Sequence, residues 1–393
     1  MSNKKHFSRR NFIGHSLIGM AGTAVLSGNP LAAFAGSTAP GKKYKLGVVG
    51  CGNRSKAIIG ALNQVPDIEI AALCDIVQHK MPQRAELIKK GPKPRFYEHL
   101  DDMLKQDDLE AIAVITPPYL HKEHTIAALE AGKHVFCEKP MALTVADCNE
   151  MVRAVERTKK QLQIGTQRRH SPDYKVLVDA IRNQPVGKIL YSDLNDYRGD
   201  WRVPAPDEYP PGVQYWRLNQ KQSGGVIYEM GAHIIDVNNW IFDSEPVSVS
   251  SIQGVNDLAL RKRDSADHGG VVVRYANGAV MNYGGVVYSY GPASPDTFFC
   301  VNGTLQFGGG QLSIHYGFPP GVPGHHGAPP KPEIRPLPRG GGVVEEMAYF
   351  AEVVAGKKKA YPDGPIGRQT VQICEGAFRS SQERKEIDIS ELG

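Results

Sequence analysis

Two glycines and a serine mark the stretch of this sequence where backbone groups are best placed to bind an anion. Gly50 and Gly52 follow the short apolar run 45–49, and a helical pattern begins near Asn53. A strand, a glycine turn and a helix in that order are typical of a nucleotide-phosphate site. The first glycine permits a tight turn, the second lets the backbone approach a pyrophosphate, and the helix N-terminus presents free N–H groups. Ser55 stands where a third glycine is usual, and a residue this small can still pack the helix against the strand.

An acidic residue stands where dinucleotide sites bind a ribose. Asp75 follows a second apolar run, residues 69–74, and lies 25 positions after Gly50. At about that distance a carboxylate accepts hydrogen bonds from the adenosine ribose hydroxyls and repels a 2′-phosphate. The two features together favour a dinucleotide site over an ordinary glycine turn. They predict NAD(H) rather than NADP(H), although the neighbours Gln78 and His79 leave NADP possible.

A lysine at the end of another predicted strand has a position suited to electrophilic chemistry. Residues 133–137 predict a parallel strand, and Glu138, Lys139 and Pro140 follow it. Ligands bind at the carboxyl ends of parallel strands, and an ammonium there can polarise a carbonyl or stabilise an alkoxide during hydride transfer. Burial or a neighbouring cation would lower the pKa of such a lysine toward a useful range. Taken alone, the tripeptide fits a surface lysine in a turn better.

A carboxylate and an imidazole share one face of a predicted helix over residues 226–240. Glu229 and His233 are four residues apart, so both side chains can point into one cavity. The unperturbed pKa of an imidazole suits proton exchange with a substrate hydroxyl near neutral pH. Asp236, three residues further on, either orients the imidazole or is structural. A lone histidine on a helix is more often held by a structural partner than catalytic.

Composition and charge indicate a globular protein with two domains. The chain has 393 residues, of which 41% are hydrophobic and 22% are charged, and this length supports two cores. The formal net charge is +5, but residues 1–35 carry four basic residues and no acidic ones, which leaves 42 basic against 41 acidic residues in the remainder. This balance, without a basic stripe of interleaved aromatics, gives no indication of a nucleic-acid partner.

The first 35 residues resemble a twin-arginine export signal. Arg9 and Arg10 lie in the segment Ser-Arg-Arg-Asn-Phe-Ile, a glycine-rich apolar run covers residues 17–26, and residues 33–35 fit a small-x-small cleavage site. The apolar run is shorter than the roughly 20 residues of a membrane span, so no stable membrane anchor is expected. We expect an exported, periplasmic protein. Because twin-arginine substrates fold in the reducing cytosol first, free cysteines are favoured over disulfides.

The spacing of apolar runs predicts an α/β fold. After a linker over residues 36–43, strands and helices alternate over residues 44–166, which predicts a parallel sheet covered by helices. Residues 167–393 contain long alternating runs that predict an antiparallel sheet; the runs are residues 189–197, 247–255, 269–275, 279–287 and 297–307. The stretch 318–342 is rich in Pro and Gly and contains His325 and His326. It predicts an irregular loop rather than a metal site.

Four motifs together resemble the Gfo/Idh/MocA oxidoreductase family, which includes glucose–fructose oxidoreductase and inositol dehydrogenases. They are the glycine loop at Gly50, the strand end Thr116-Pro117-Pro118 with His121, the segment 131–140 and the segment 223–236. The resemblance covers nearly the whole chain after residue 35. It implies an N-terminal Rossmann domain over residues 44–166 and, over residues 167–393, an α/β domain with a large open, mainly antiparallel sheet. It also implies a nicotinamide cofactor between the domains, homodimers or homotetramers packed through the sheet, and a C-terminal helix packed back on the Rossmann domain.

The resemblance also implies roles for individual residues. Lys139 matches the catalytic lysine and His233 the general acid/base, with Glu229 where the family usually has Asp; the longer side chain leaves its contact with substrate or Lys139 open. The implied cofactor-binding residues are Gly50, Cys51, Gly52, Asn53, Arg54, Asp75, Thr116, Pro117, His121, Glu138, Lys139 and Gln167. The implied substrate-binding residues are Arg168, Tyr215, Trp216 and Asp236. Arg198, Asp200, Trp201 and Arg202 suit a sugar pocket and an interface equally well. No metal site is implied.

Three functions fit these residues. The first is an exported oxidoreductase that acts on a sugar or glycoside with tightly bound NAD(H). In it His233 removes the hydroxyl proton, Lys139 stabilises the developing oxyanion and C4 of the nicotinamide takes the hydride. The second is an NAD-dependent glycoside hydrolase that uses transient oxidation, elimination, water addition and reduction, but the chain lacks the fuller histidine and tyrosine pattern of such relatives. The third is a sugar-binding module that keeps the fold without hydride transfer.

Overall fold

Strands and helices alternate in the first part of the chain. The computed structural model describes residues 42–199, 208–210, 213, 215–256, 262–287, 294–317 and 330–393. Its first elements are β1 (Tyr44–Val49), α1 (Asn53–Leu62), β2 (Ile68–Cys74), α2 (Lys80–Ala85), β3 (Arg95–Tyr97), α3 (Leu100–Leu104), β4 (Ala111–Val114), α4 (His121–Glu130), β5 (His134–Glu138), α5 (Val145–Thr158) and β6 (Leu162–Gly165). Neighbouring strands run parallel in the order β3-β2-β1-β4-β5-β6. This is the strand order of a Rossmann sheet, and it confirms the predicted parallel sheet.

A second, larger sheet follows. The strands of this sheet and the helices of the same part of the chain are, in order, α6 (Pro172–Asn183), β7 (Ile189–Arg198), α7 (Gln220–Ser223), α8 (Ala232–Phe242), β8 (Pro246–Gly254), β9 (His268–Tyr275), β10 (Val280–Val287), β11 (Asp296–Cys300), β12 (Gly303–Gly308), β13 (Gln311–Tyr316), β14 (Glu333–Pro336), α9 (Val343–Val354), α10 (Gly364–Glu383) and β15 (Ile387–Asp388). The described strands pair in the order β14-β13-β12-β11-β7-β10-β9-β8-β15. Within this set β7 and β10 run parallel, and the other neighbours run antiparallel. The predicted fold class, α/β with a mainly antiparallel second sheet, is confirmed.

The last two helices return to the Rossmann sheet. Phe350 of α9 packs on Phe136 of β5, with ring centroids 5.8 Å apart. Met347 of α9 lies in the same buried cluster as Leu46 and Val48 of β1. α10 packs against α5 and β6 of the first sheet and against α8 and β8 of the second. The two sheets are thereby joined, and residues 42–393 form one compact unit.

The second sheet corrects two predictions. The prediction of a single strand over residues 297–307 is wrong, because β11 and β12 form a hairpin that turns at Val301 and Asn302. Asn302 followed by Gly303 is a turn signal inside the apolar run. The prediction of an irregular loop over residues 318–342 is also wrong in part, because β14 lies within this stretch. β14 is an edge strand with mostly exposed side chains, so it lacks an apolar pattern; His325 and His326 lie outside the described residues.

The six cysteines are free and buried. Burial raises the pKa of the Cys51 thiol to about 12, and the neighbouring Asp75 adds to this. A thiol with so high a pKa is unreactive near neutral pH. Across the described residues, no helix combines the length and the apolar character needed to span a membrane.

Glu346 is a buried carboxyl in α9. Its side chain is fully buried, and neither carboxyl oxygen has a hydrogen-bond partner within the described part of the chain. Burial raises its pKa well above the usual value, and the nearby Glu138 adds to this while Arg54 opposes it. Folding therefore favours the protonated form of Glu346.

We expect Glu346→Gln to raise the melting temperature at neutral pH and to change it little at about pH 4. A group whose pKa is raised on folding contributes its stability in full below the unfolded pKa, and this stability is lost as the pH rises through the folded pKa. The unfolded carboxyl ionises at about pH 4.3. Between this pKa and the raised pKa of the folded state, the free energy of unfolding of the wild type falls by about 1.4 kcal/mol per pH unit, whereas that of Glu346→Gln does not. Thermal melts of both proteins across this range test the expectation. Parallel pH profiles would mean that Glu346 is ionised in the fold.

Candidate active site

The glycine loop between β1 and α1 forms the tight turn that the sequence predicts. Gly50 has a φ of +94°, and a Cβ there would lie 2.5 Å from the Ile115 carbonyl oxygen, so only glycine fits. Gly52 is the N-cap of α1, and a Cβ there would meet nothing within 4 Å. The backbone is thus open where the N-terminus of α1 presents its N–H groups. Ser55 is fully buried and donates from Oγ to the Gly52 carbonyl oxygen at 2.6 Å.

Asp75 holds the glycine loop from the end of β2. Its Oδ2 accepts a hydrogen bond from the Cys51 N–H at 2.6 Å, and its Oδ1 accepts one from the Val77 N–H at 2.7 Å. Cys51 itself is buried and is not among the residues that line the cavity between the two sheets. Its N–H holds the loop to Asp75, and its contact with a cofactor stays a prediction. Asp75 does line that cavity. Because each carboxylate oxygen has further lone-pair capacity, Asp75 can still accept from ribose hydroxyls.

Arg84 of α2 is a candidate binding residue that the sequence analysis missed. Its buried side chain donates from Nε to Ser55 Oγ at 3.1 Å and from Nη2 to the Gly52 carbonyl oxygen at 3.2 Å. It also lines the cavity, so its positive charge lies beside the loop that suits a pyrophosphate. Its partners are 29 and 32 residues away in the chain, and no local pattern reveals such a contact.

One cavity of about 870 Å³ joins the glycine loop to the second domain. Its volume is within the range of about 300–1,000 Å³ that is typical of ligand sites. The predicted cofactor residues that line it are Gly50, Gly52, Asn53, Arg54, Asp75, Thr116, Pro117, His121, Glu138 and Lys139. The predicted catalytic and substrate residues that line it are Lys139, Glu229, His233, Tyr215 and Trp216. A loop that fits a pyrophosphate and an acid that fits a ribose therefore share one cavity with groups that can transfer a proton.

Lys139 enters the cavity from the end of β5. Its Nζ donates to the Glu229 backbone carbonyl oxygen at 2.5 Å. The contact between Glu229 and Lys139 that the sequence leaves open is thus made by the backbone of Glu229. Burial lowers the pKa of Lys139, and the nearby Glu229 and Glu138 oppose this. An ammonium with one N–H engaged keeps two for a substrate oxygen.

Arg54 links the first helix to the residues around Lys139. Its Nε donates to Glu138 Oε1 at 2.5 Å, and its Nη2 donates to Gln167 Oε1 at 2.6 Å. The other Glu138 oxygen accepts from the Lys139 N–H at 3.1 Å. Gln167 is not among the residues that line the cavity, so its contact in this structure is with Arg54, and its contact with a cofactor stays a prediction. The network ties α1 to the ends of β5 and β6.

A π-helical turn, Ile227–Gly231, leads into α8 and carries Glu229. Turns of this kind occur frequently at functional sites. The buried Glu229 carboxylate accepts from Arg217 Nε at 3.0 Å. The Arg217 guanidinium in turn lies 4.3 Å from the ring centre of Trp216. Glu229 is therefore anchored by Arg217, and its carbonyl is held in place for Lys139.

His233 lies at the start of α8 and lines the cavity. Its Nδ1 is buried and has no hydrogen-bond partner among the described residues. Burial lowers its pKa well below the usual value, and the positive charges of Lys139, Arg168 and Arg54 add to this. The imidazole is therefore neutral at physiological pH and able to accept a proton.

His121 connects two segments that border the site. Its Nδ1 lies 2.8 Å from the Pro140 carbonyl oxygen and its Nε2 lies 2.8 Å from the Thr116 carbonyl oxygen. A neutral ring donates to only one of two such oxygens at a time. His121 therefore fixes the residues after Lys139 against the end of β4, in addition to lining the cavity.

Two predicted substrate residues do not line the cavity. Asp236 is fully buried and accepts from Arg169 Nε at 2.9 Å. This ion pair fits the structural alternative for Asp236, and the carboxylate does not line the cavity where a substrate or His233 would meet it. The Arg168 guanidinium stacks on Tyr174, 5.3 Å from its ring centre.

Comparison with known proteins shows the family. Residues 44–166 match the model of an oxidoreductase family with an NAD-binding Rossmann fold, and residues 178–307 match the C-terminal α/β domain of the same family. The chain belongs to the Gfo/Idh/MocA oxidoreductase family. Its first domain is accordingly an NAD-binding Rossmann domain, as the glycine loop and Asp75 predict.

Several Gfo/Idh/MocA proteins resemble the chain over part of its length. It is 28% identical over 228 residues to the glucose-6-phosphate 3-dehydrogenase of Bacillus subtilis, covering 56% of this chain and 60% of that protein. It is 28% identical over 252 residues to the myo-inositol 2-dehydrogenase of Thermotoga maritima, covering 63% and 70%. The chain thus spans less than two thirds of the first relative. The solved aldose-aldose oxidoreductase of Caulobacter crescentus has the same fold, with a TM-score of 0.71 at 22% identity over 88% of this chain and 100% of that one.

The Gfo/Idh/MocA cavity of this chain also contains residues that the sequence analysis did not single out. Lys80 and Tyr209 line it, and Lys80 Nζ lies 4.4 Å from the ring centre of Tyr209. Asp196 lines it from β7, as does the candidate Arg198. Tyr209 lies in an irregular segment, where no periodic pattern marks a buried face. The candidates Asp200, Trp201 and Arg202 lie outside the described residues.

Proposed function

We propose that this Gfo/Idh/MocA protein oxidises a hydroxyl of a sugar or polyol, or reduces the corresponding carbonyl, with tightly bound NAD(H). One observation carries the proposal: the glycine loop and Asp75 share a single cavity with Lys139 and His233. The names of two relatives refer to glucose 6-phosphate and to myo-inositol. Both are polyhydroxy compounds, which supports a substrate of that class.

The residues of the first domain fit the two polar parts of a dinucleotide. The free N–H groups at the N-terminus of α1 and the Arg84 guanidinium would hold the pyrophosphate. Asp75 would hold the adenosine ribose. When bound, NAD supplies the acceptor for a hydride.

Two side chains then act on the substrate oxygen. His233 accepts the hydroxyl proton, because its imidazole is neutral and its Nδ1 has no partner among the described residues. Lys139 donates from Nζ to the same substrate oxygen, where negative charge develops as the proton leaves. Glu229 is a positioning residue, since Arg217 holds its carboxylate and its carbonyl orients Lys139.

We propose further that the protein is exported to the periplasm with its cofactor already bound. The twin-arginine pattern in residues 1–35 supports this, although these residues lie outside the described part of the chain. A twin-arginine substrate crosses the membrane folded, so a nucleotide bound in the cytosol travels with it. Because little free NAD is expected beyond that membrane, the redox cycle must close within one active site. Either a second substrate reoxidises the nucleotide, or the first substrate takes the hydride back.

The nucleotide in the purified protein tests retention and cofactor choice. After extensive dialysis and denaturation, we expect mass spectrometry to find one NAD or NADH per chain. Retention through dialysis requires slow dissociation, which nanomolar or tighter affinity typically provides. NADP in its place would contradict the role of Asp75. An empty protein that works only with added NAD would contradict retention.

Product analysis separates the oxidoreductase from its alternatives. A sugar or polyol oxidised with formation of NADH, or ping-pong kinetics with two substrates, supports the proposal. Release of free sugar from a glycoside without net reduction of the cofactor would identify an NAD-dependent glycoside hydrolase instead. Ligand binding without either reaction would identify a sugar-binding module.

The open face of the second sheet supports a proposal of self-association. Ile252 is 84% exposed there, and Val272, Phe299 and Ile334 on the same face are 40–50% exposed. An apolar face of this kind marks an interface more often than free surface. We propose a homodimer or homotetramer through this sheet. A monomer mass in analytical ultracentrifugation would contradict it.

A further inference from the structure

Lys80 and Tyr209 form a contact between the two domains at one end of the cavity. Lys80 begins α2 of the Rossmann domain, five residues after Asp75, and Tyr209 belongs to the second domain. Lys80 Nζ lies 4.4 Å from the ring centre of Tyr209, and both side chains line the cavity. A cation near the face of an aromatic ring is attracted by the negative charge of that face. The contact therefore joins α2 to the second domain.

The Lys80–Tyr209 contact lies near the carboxylate that we propose to bind the adenosine ribose. Burial raises the pKa of Tyr209; Tyr215 and Asp75 add to this effect, and Arg217 opposes it. The Tyr209 hydroxyl is thus within electrostatic reach of Asp75. Asp75 is itself hydrogen-bonded to the glycine loop. The contact between the domains is therefore at the end of the cavity where the loop and Asp75 meet.

A row of side chains continues from Tyr209 along the second domain. The ring of Tyr209 packs on that of Tyr215, with centroids 6.3 Å apart, and Tyr215 Oη accepts from Arg217 Nη1 at 3.3 Å. Arg217 binds the Glu229 carboxylate, and the Glu229 carbonyl oxygen accepts from Lys139. All five residues line the cavity. The second domain thus presents an unbroken row of contacts from Tyr209 to Lys139.

A dinucleotide bound as proposed would follow the same course on the side of the Rossmann domain. Its adenosine ribose would lie at Asp75, its pyrophosphate at the glycine loop and its nicotinamide beside Lys139. A ligand enclosed between two domains leaves only after the domains separate or the side chains that span them move apart. The Lys80–Tyr209 contact spans the two domains at the adenosine end, so it must break when the nucleotide leaves by that end.

We propose that the Lys80–Tyr209 contact retains the bound dinucleotide by holding α2 against the second domain at the adenosine end of the cavity. This inference rests on the proposed function, because it assumes that NAD(H) extends from Asp75 to Lys139. Lys80 and Tyr209 are positioning residues in this role, since they act on the enclosure of the nucleotide and not on the reacting atoms. The contact slows dissociation of the nucleotide and leaves hydride transfer to other residues.

The rate of nucleotide exchange tests the contact without any turnover. The purified holoprotein is mixed with an excess of NAD labelled with a heavy isotope, and the labelled fraction of the bound nucleotide is followed by mass spectrometry after rapid desalting. We expect Tyr209→Ala to speed exchange on the order of tenfold, which is the effect of losing a partly desolvated contact between a cation and a ring. Tyr209→Phe keeps the ring and should exchange like the wild type.

Tyr349→Ala is the matched control for general loss of stability. Tyr349 of α9 also has a lysine at its ring, with Lys358 Nζ 4.7 Å from the ring centre, and neither residue is among those that line the cavity. We expect this variant to exchange its nucleotide at the wild-type rate. Exchange that is accelerated equally in Tyr349→Ala and Tyr209→Ala would overturn the inference, because destabilisation of the fold would explain both.

A double-mutant cycle separates this contact from a direct effect of Lys80 on the phosphates. If the two side chains act as one contact, Lys80→Met speeds exchange about as much as Tyr209→Ala, and the double variant is no faster than either single variant. Accelerations that multiply in the double variant would mean that the two residues act independently, which would overturn the inference.

The ratio of exchange rates tests this inference, and the wild-type rate alone tests retention of the cofactor. Slow exchange in the wild type and equally slow exchange in Tyr209→Ala would overturn the role of the contact and leave the retained cofactor of the proposed function in place. Fast exchange in the wild type, with still faster exchange in Tyr209→Ala, would support the contact and contradict retention. Hydride transfer is tested separately by product analysis, because exchange of labelled NAD requires no substrate.

Discussion

Lys139→Met is expected to lower turnover by about two orders of magnitude or more and to leave the nucleotide bound. The methionine keeps the unbranched chain up to the position of Cε but removes the ammonium donor that we expect to face the substrate oxygen. Stabilisation of a developing oxyanion acts mainly in the transition state, so kcat should fall more than KM rises. The glycine loop, Asp75 and Arg84, which we propose to hold the nucleotide, are positioned by contacts that do not involve Lys139.

Lys133→Met is the matched control for this loss. Lys133 is also buried, and its Nζ also donates to a backbone carbonyl oxygen, that of Gln106 at 2.9 Å. It lies before β5, whereas Lys139 follows it. We expect the control to lose stability while keeping wild-type turnover. Wild-type turnover in Lys139→Met, measured with the nucleotide bound, would remove Lys139 from the mechanism.

His233→Asn is expected to cost a similar factor, about one hundredfold or more in kcat, because it removes the proton acceptor. The asparagine is polar and close in size, but it cannot take a proton near neutral pH. His170→Asn is the matched control, since His170 is buried outside the cavity and its Nε2 lies 3.0 Å from the Tyr361 carbonyl oxygen. Equal turnover in the two variants would contradict a catalytic role for His233.

The pH profile of the wild type gives an independent test of His233. A base works in its neutral form, and the pKa of His233 is lowered well below its usual value by burial, with Lys139 and Arg168 adding to the effect. Activity in the oxidation direction should therefore stay flat from neutral pH through the usual histidine range near pH 6.5 and fall only in stronger acid. A loss of activity centred near pH 6.5 would mean that another, exposed histidine controls the reaction.

The parts of the site that lie within one short segment were predictable from the sequence. Gly50 and Gly52 form a strand-turn-helix unit whose signature is local, and Asp75 follows at the spacing set by the next strand. Glu229 and His233 face one cavity because their separation is close to one helical turn. The two-sheet fold was predictable for the same reason, since each strand and helix carries its own periodicity.

Contacts between distant segments account for what the sequence did not predict. Asp236 pairs with Arg169, 67 residues away. The sequence spacing of these residues does not show with which of several arginines Asp236 forms its ion pair. Arg84 acquires its position only when α2 meets the glycine loop. The edge strand β14 has few buried side chains, so its sequence pattern does not distinguish it from a loop.

Rapid mixing of the purified holoprotein with a neutral sugar or polyol tests the central claim most directly. The claim is that one cavity holds NAD beside Lys139 and His233 and moves a hydride to or from a hydroxyl-bearing carbon. We expect a burst of NADH absorbance, without added cofactor, of up to one equivalent per chain. Lys139→Met and His233→Asn should each slow this burst about one hundredfold or more. If a protein shown to contain oxidised NAD gave no burst across a panel of neutral sugars and polyols, hydride transfer in this cavity would be contradicted.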